Sequence, residues 1–421
     1  MAVISSRHNY NVATVLQAGN RLFTMIGGLA VVIVAAEFLT RVEFAIFVSL
    51  QSIVQLRIFA DALGGGGVVA LLIGTESNER RAVESLLQYI YFFVAIVSLF
   101  FALLLCLMVM DATLDAGTAI TFFDVLPVVF ATPVTIVLYS RIIILESHQE
   151  VVAASFCRTI LSAGYTLIVL LCLYFGFKFE SIVIAALSSA AVAFVYQSSS
   201  FVSGDFGLLR FARVENSLNH AKKLWSLQWR SLLSWIGGYG MIFLPAPILF
   251  WLGAPSFSGE VGVSLQFFQA LAGFSLIPLT VRIPKIAEAL MVGQSASADQ
   301  TYFRMRNLSV MLFTSMGALF VCAHHLYGAN YEFLKKFPTA GSLLFYLLAF
   351  LSCFYLYCES VRYRAKGEER FWSVYLVAAL NHVVTLASAV ILDRALLGVW
   401  FLAASNLVFI GVFVKRLEMK K

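Results

Sequence analysis

Long apolar runs, each closed by charged or turn-forming residues, recur along the whole of this sequence. Twelve are readable, at roughly 15–38, 43–73, 86–110, 122–145, 151–175, 181–202, 226–251, 260–282, 306–327, 340–361, 371–392 and 395–414. Each is about as long as the roughly 20 apolar residues an α-helix needs to cross a bilayer. The pattern predicts an all-α polytopic membrane protein with about twelve transmembrane helices. The longest gap between runs sets the domain organisation: an N-terminal six-helix lobe over 1–202, a cytoplasmic linker over 203–225 and a C-terminal six-helix lobe over 226–421. The linker carries Arg210, Arg213, Lys222 and Lys223. It reads equally well as a helix on the anionic inner leaflet or as a solvated connection.

Composition sharpens this picture. The chain is 61% hydrophobic and 12% charged, whereas a soluble domain carries about 25% charged residues. A water-soluble fold of this make-up would expose large apolar patches. The basic balance, 29 Lys+Arg against 23 Asp+Glu, would suggest nucleic acid in a soluble protein. Here the cations sit between apolar runs, so the expected contacts are membrane lipids and no nucleic acid. Cys106, Cys157, Cys172, Cys322, Cys353 and Cys358 fall mostly inside the runs without CxxC spacing, and are expected to pack rather than bind metal. No cleavable signal peptide is expected, because the first run is long enough to span and leads into a second.

The cations also orient the chain. With the N-terminus in the cytoplasm, Arg41, Lys178, Lys335, Lys336 and Arg394 lie outside, Arg21 and Arg57 lie within spans, and the other 22 of the 29 lie inside. One missed or extra span would reverse this bias for every later loop, so it supports an even count with both termini cytoplasmic. A short internal repeat accompanies the six-and-six division. Ile26-Gly27-Gly28 of the first run recurs as Ile236-Gly237-Gly238 of the seventh, and Val48-Ser49-Leu50-Gln51 of the second as Val263-Ser264-Leu265-Gln266 of the eighth. Duplicated halves are a common way to build a transporter.

No catalytic constellation is present. There is no P-loop pattern, so no nucleotide cofactor is expected, and His324-His325 has no third ligand at metal spacing. The histidine pair is expected to be interfacial or packed. Gly64-Gly65-Gly66-Gly67 lies inside a run and is expected to bend the second helix. Pro127, Pro133, Pro245, Pro247 and Pro278 also lie inside runs, as membrane helices tolerate. Asn381 and His382 are expected to bond between helices.

Ionisable residues within spans are costly and usually face a cavity or a partner. Arg21 lies about six residues into the first run, roughly 9 Å from the cytoplasmic end. Arg57 enters from the opposite side and reaches roughly the same depth. Two guanidinium groups at one level suit the oxygens of a phosphate. Asp61, one helical turn after Arg57, pairs with it in a second reading, in which Arg57–Asp61 is structural and Arg21 reaches the headgroups.

The segments Gly19-Asn20-Arg21, Phe38 to Phe47 (FLTRVEFAIF) and Phe59-Ala60-Asp61-Ala62-Leu63-Gly64 resemble the opening of O-antigen and polysaccharide-repeat flippases of the Wzx type. These belong to the multidrug/oligosaccharidyl-lipid/polysaccharide exporter superfamily. Phe44-Ala45 stands where the family usually has tyrosine-glycine, and Asp61-Ala62-Leu63-Gly64 has one residue more than the family's aspartate-leucine-glycine. Leu224 to Arg230 (LWSLQWR), Gly259 to Gln266 (GEVGVSLQ) and Pro284 with Ala287 and Glu288 are similar to the family's second half.

The resemblance implies two six-helix lobes around a central cavity that opens alternately to each side of a bacterial inner membrane. It implies an undecaprenyl-pyrophosphate-linked oligosaccharide as substrate, a polysaccharide polymerase as candidate partner, and no enzymatic activity. Arg21 and Arg57 would face the pyrophosphate, with Arg230 as a further candidate. Energy would come from an ion gradient or from consumption of the product. Two alternatives stand beside it. A multidrug or ion antiporter of the same superfamily would favour embedded carboxylates. A membrane glycosyltransferase or ligase would need a large outer loop, and the longest outer segments, 111–121 and 328–339, hold about a dozen residues each.

Overall fold

The computed structural model describes residues 26–57, 59–60, 72, 77–115, 121–148, 150–198, 218–291, 293–364 and 369–418, together with Gly19 and Phe23. Every regular element among them is helical. α1 (Ile26–Phe38) turns at Leu39 into α2 (Arg41–Val54), which tightens into a 3₁₀ turn, Gln55–Arg57. A capping box makes this turn. Thr40 offers its backbone N–H and its hydroxyl to the Glu43 carboxylate, both at 2.9 Å, and the Glu43 N–H returns to the Thr40 hydroxyl.

Then come α3 (Ser77–Asp115), α4 (Phe122–Ser147), α5 (Val151–Tyr174) and α6 (Glu180–Ser198). α7 (Leu218–Ile242) and α8 (Pro245–Trp251) follow, then α9 (Pro255–Ser275) and α10 (Ile277–Met291). α11 (Ser295–Tyr327), α12 (Ala340–Arg364), α13 (Trp372–Ile391) and α14 (Ala395–Glu418) complete the chain.

Seven of these helices are long and apolar enough to cross a membrane, and nine if two bent pairs each count as one span. α7 bends into α8 by 48°, and α9 into the start of α10 by 49°. Both bends coincide with prolines inside predicted runs: Pro245 and Pro247 at the first, Pro278 at the second. α1 and the 397–412 part of α14 are shorter apolar helices. All twelve predicted runs thus carry helix, and large apolar groups are exposed on the helices, Phe93, Phe100 and Phe101 among them. The Gly64–Gly67 stretch lies outside the described residues, as do residues 203–217; residues 218–225 open α7.

The chain packs as two units. One comprises residues 1–31 and 50–232, the other 32–49 and 233–421. In the first, Tyr91, Ile142, Cys157, Leu161 and Ala193 belong to one buried core drawn from α3, α4, α5 and α6. In the second, Leu356, Val374, Tyr375 and Ile410 belong to a core drawn from α12, α13 and α14, with Met241 of α7 added.

The two copies of the sequence repeat have matching surroundings. A Cβ added to Gly27 would lie 2.5 Å from the Thr166 methyl of α5, the fifth predicted span. One added to Gly237 would lie 2.5 Å from the Tyr375 carbonyl carbon of α13, the eleventh. Each glycine therefore lets the first helix of its half approach the fifth. Ser49 bonds the Ala45 carbonyl at 2.8 Å and Ser264 the Glu260 carbonyl at 2.7 Å, each one turn back. Gln51 and Gln266 are both buried with Oε1 unbonded. Equal bonds at equal register argue that the repeat is a duplication.

Candidate functional site

Arg57 stands on the 3₁₀ turn that ends α2, in the first unit, and that turn packs on α4. Its Nη1 donates to the Leu161 carbonyl at 2.9 Å, and its guanidinium lies 4.9 Å from the centroid of the Tyr165 ring. Leu161 belongs to a π-turn, Ile160–Gly164, set inside α5. A π-turn shifts the backbone pairing by one residue and leaves carbonyls open to other donors. A side-chain donor from α2 thus closes an irregular place in α5.

The π-turn is further braced by its own hydroxyls. Ser162 bonds back to the Arg158 carbonyl at 2.7 Å and Thr166 to the Ser162 carbonyl at 3.0 Å. The Tyr165 hydroxyl is buried without a hydrogen-bond partner. π-turns recur at functional sites.

Arg141 of α4 is the feature that the sequence pattern concealed. It is 4% exposed, and its Nε has no hydrogen-bond partner among the described residues. Its electrostatic neighbour is Cys157 of α5. The buried charged side chains among the described residues are Arg141, Arg362 and Glu359. Arg362 is bonded to Asp299 at 2.5 Å and Glu359 to Arg306 at 2.6 Å. Arg141 alone of these three has no counter-ion among the described residues. It lies six residues before the end of α4, roughly 9 Å along the axis.

Beyond it, the end of α4 is held by paired charges. Arg158 of α5 forms a two-pronged pair with Glu146. Arg80 of α3 bonds Glu84 at 3.2 Å and the Ser147 hydroxyl at 3.1 Å, and His148 meets the same Glu84 at 2.6 Å. These cations have partners within the fold.

The other sequence candidates divide. Arg230 on α7 is exposed, with its guanidinium 5.1 Å from the Trp229 ring centroid. Arg21 and Asp61 lie outside the described residues, and with them the expected Arg57–Asp61 pair. Arg57, Arg141 and Arg230 all belong to the first unit.

In the second unit one group of buried polar side chains bonds across helices. His382 and Asn381 of α13 bond between helices as expected: His382 to the Met241 carbonyl at 3.1 Å, Asn381 to Ser405 and Asn406 at 2.9 Å each. His324 meets the Leu334 carbonyl at 3.2 Å. No cluster of three or more histidine, cysteine or acidic residues that could hold a metal occurs among the described residues. At the α1–α2 turn, Lys336 donates to the Leu39 carbonyl at 2.7 Å, beside a small pocket walled by Arg41, Phe44 and Glu260. Burial, and then the neighbouring Arg41, hold the Lys336 ammonium below the usual lysine range.

No family model matches the sequence. No curated protein matches it either. Solved structures do match in fold. An inward-facing multidrug resistance MATE family transporter of the MOP superfamily aligns with a TM-score of 0.60 at 15% identity, covering 96% of this chain and 97% of that one. The eukaryotic MATE transporter AtDTX14 gives 0.55 at 14%, covering 98% and 96%. A mutant of the Vibrio cholerae MATE transporter VcmN gives 0.51 at 11%, covering 96% and 95%. The fold is therefore MATE-like over 96–98% of the chain.

Proposed function

We propose that this protein flips a lipid-linked oligosaccharide, carried on undecaprenyl pyrophosphate, from the cytoplasmic to the outer leaflet of a bacterial inner membrane. The observation that carries the reading is Arg141, a buried guanidinium with no counter-ion among the described residues, in the same unit as Arg57. A bare buried charge costs several kcal/mol, and removing the partner of a buried ion costs about 3–5 kcal/mol. A site that tolerates such a charge is suited to an anion that arrives with the substrate. Pyrophosphate is one, and the guanidinium fork fits its oxygens in pairs.

In this reading Arg57, Arg141 and Arg21 receive the pyrophosphate while the polyprenyl tail stays in lipid, and Arg230 stands by as an entry contact. Asp61 tempers the cationic charge beside Arg57. The superfamily's transport role comes to this chain as part of the proposal, and a polysaccharide polymerase is the partner that would consume the product.

The fold matches favour a second reading, a multidrug antiporter, because one of the matched structures is a multidrug resistance transporter. A site for organic cations wants an unpaired buried carboxylate, and the buried Glu359 is engaged by Arg306. The two readings separate in proteoliposomes. Transfer of a fluorescent undecaprenyl-pyrophosphate oligosaccharide between leaflets, lost in Arg57→Ala and Arg141→Ala, supports the first. Efflux of a cationic dye that both variants retain, with no lipid transfer by the native protein, sinks it.

A further inference from the structure

The break between α7 and α8 sits where two backbone donors are missing. In a continuous helix the Met241 carbonyl would accept from the N–H of residue 245, and the Phe243 carbonyl from that of residue 247. Both positions are proline, which has no N–H. The Leu244 N–H reaches back to Tyr239 at 3.3 Å. An unpaired carbonyl at bilayer depth is costly, because no water is present to bond it.

The Met241 carbonyl is not left unpaired. His382 of α13, 1% exposed, places Nδ1 at 3.1 Å from it. A carbonyl only accepts, so Nδ1 carries the proton. The opposite nitrogen, Nε2, lies 2.6 Å from Nδ2 of Asn406 on α14, which donates to it. The Asn406 amide is itself oriented, since its Oδ1 accepts from Asn381 Nδ2 at 2.9 Å. Each bond in this chain fixes the direction of the next. The imidazole is therefore held neutral, in one tautomer, with its single N–H aimed at the helix break.

We propose that His382 is the positioning residue of the α7–α8 break: its Nδ1–H takes the place of the backbone N–H that Pro245 cannot supply to Met241. The proline opens the helix, and the histidine makes the opened form the stable one. The bend of the seventh predicted span then depends on α13 and α14, so a displacement of either is felt at the bend. This inference stands on the hydrogen bonds alone and does not depend on the substrate proposed above.

The test is a double-mutant cycle on the purified full-length protein in detergent. His382→Phe keeps a ring and removes the donor, and Pro245→Ala restores a backbone N–H to the same carbonyl. His382→Phe is expected to lower the unfolding midpoint. It should also broaden the distance between nitroxide labels at positions 236 and 251, which are exposed on either side of the break. Adding Pro245→Ala is expected to recover most of both losses, and His382→Gln, which keeps an N–H donor, to lose less than His382→Phe. If His382→Phe cannot be purified, purification of the double mutant supports the proposal, and failure of both overturns it. Two further results overturn it: penalties for His382→Phe and Pro245→Ala that simply add, or a label distance in His382→Phe identical to that of the native protein.

Discussion

At the scale of single residues, Arg57 and Arg141 separate into two kinds of cation. Arg57 has a backbone acceptor and an aromatic face, so it holds the π-turn of α5, apart from the pyrophosphate contact proposed for it. Arg57→Ala strips the Leu161 carbonyl of its donor and is expected to cost about 1–3 kcal/mol in stability. Arg57→Lys keeps a donor and a charge but loses the planar fork, and should retain part of the flipping activity. Arg141 predicts the opposite balance. Replacing an uncompensated buried charge by an apolar group of similar length relieves desolvation, so Arg141→Met should raise the unfolding midpoint of the ligand-free protein while reducing flipping. A fall in both would instead give Arg141 a purely structural role.

Arg57 was legible in the sequence because it stands deep in an apolar run. Arg141 was not, because it lies four residues from the end of a run and counts there as an ordinary loop cation. Only the extension of α4 to Ser147, and the packing of α5 against it, put Arg141 inside.

At the scale of elements, the positions of the helices followed from apolar periodicity, because lipid imposes one simple rule on every span. Their bends did not. α4 runs unbroken through Pro127 and Pro133, whereas α7 and α9 break at theirs. A proline marks where a backbone bond is missing. Whether the helix bends there depends on what its neighbours offer the freed carbonyl, which a single sequence does not display. The π-turn of α5 has no proline at all, and nothing in its residues announced it. The approach of α7 to α13 gives a direct test of element packing. At Gly237 an added methyl meets Tyr375 backbone, which cannot rotate away, while at Gly27 it meets only the end of a threonine side chain. Gly237→Ala should therefore destabilise by about 1–3 kcal/mol, as overpacking does. Gly27→Ala should cost less, measured on the same purified protein by thermal unfolding.

At the scale of the whole molecule, the internal duplication was visible as two short matches and gains weight from paired contacts: glycine on the fifth helix of its half, serine bonded one turn back, glutamine buried. The sidedness of the chain rests on its cations. It predicts that Asn216→Cys and a cysteine at the C-terminus resist impermeant thiol reagents in intact cells and react once the membrane is opened. Labelling of either in intact cells would refute the twelve-span topology.

The third helix of each half, α3 with 39 residues and α11 with 33, has a further consequence. At 1.5 Å per residue they measure roughly 58 and 50 Å, against a hydrocarbon core of about 30 Å. Even a 40° tilt, the top of the usual range, takes up only about 26 residues. The surplus of α11 is polar at its start and can stand in water. So is that of α3, whose apolar run begins only at Leu86, after Ser77 to Arg81 (SNERR) and Glu84. Both halves thus extend a polar helix end past the hydrocarbon core, and on the same side if the halves are duplicated. In vesicles of graded acyl-chain length, the unfolding temperature should pass through a maximum at a hydrocarbon core of about 30 Å and fall in thinner and thicker bilayers.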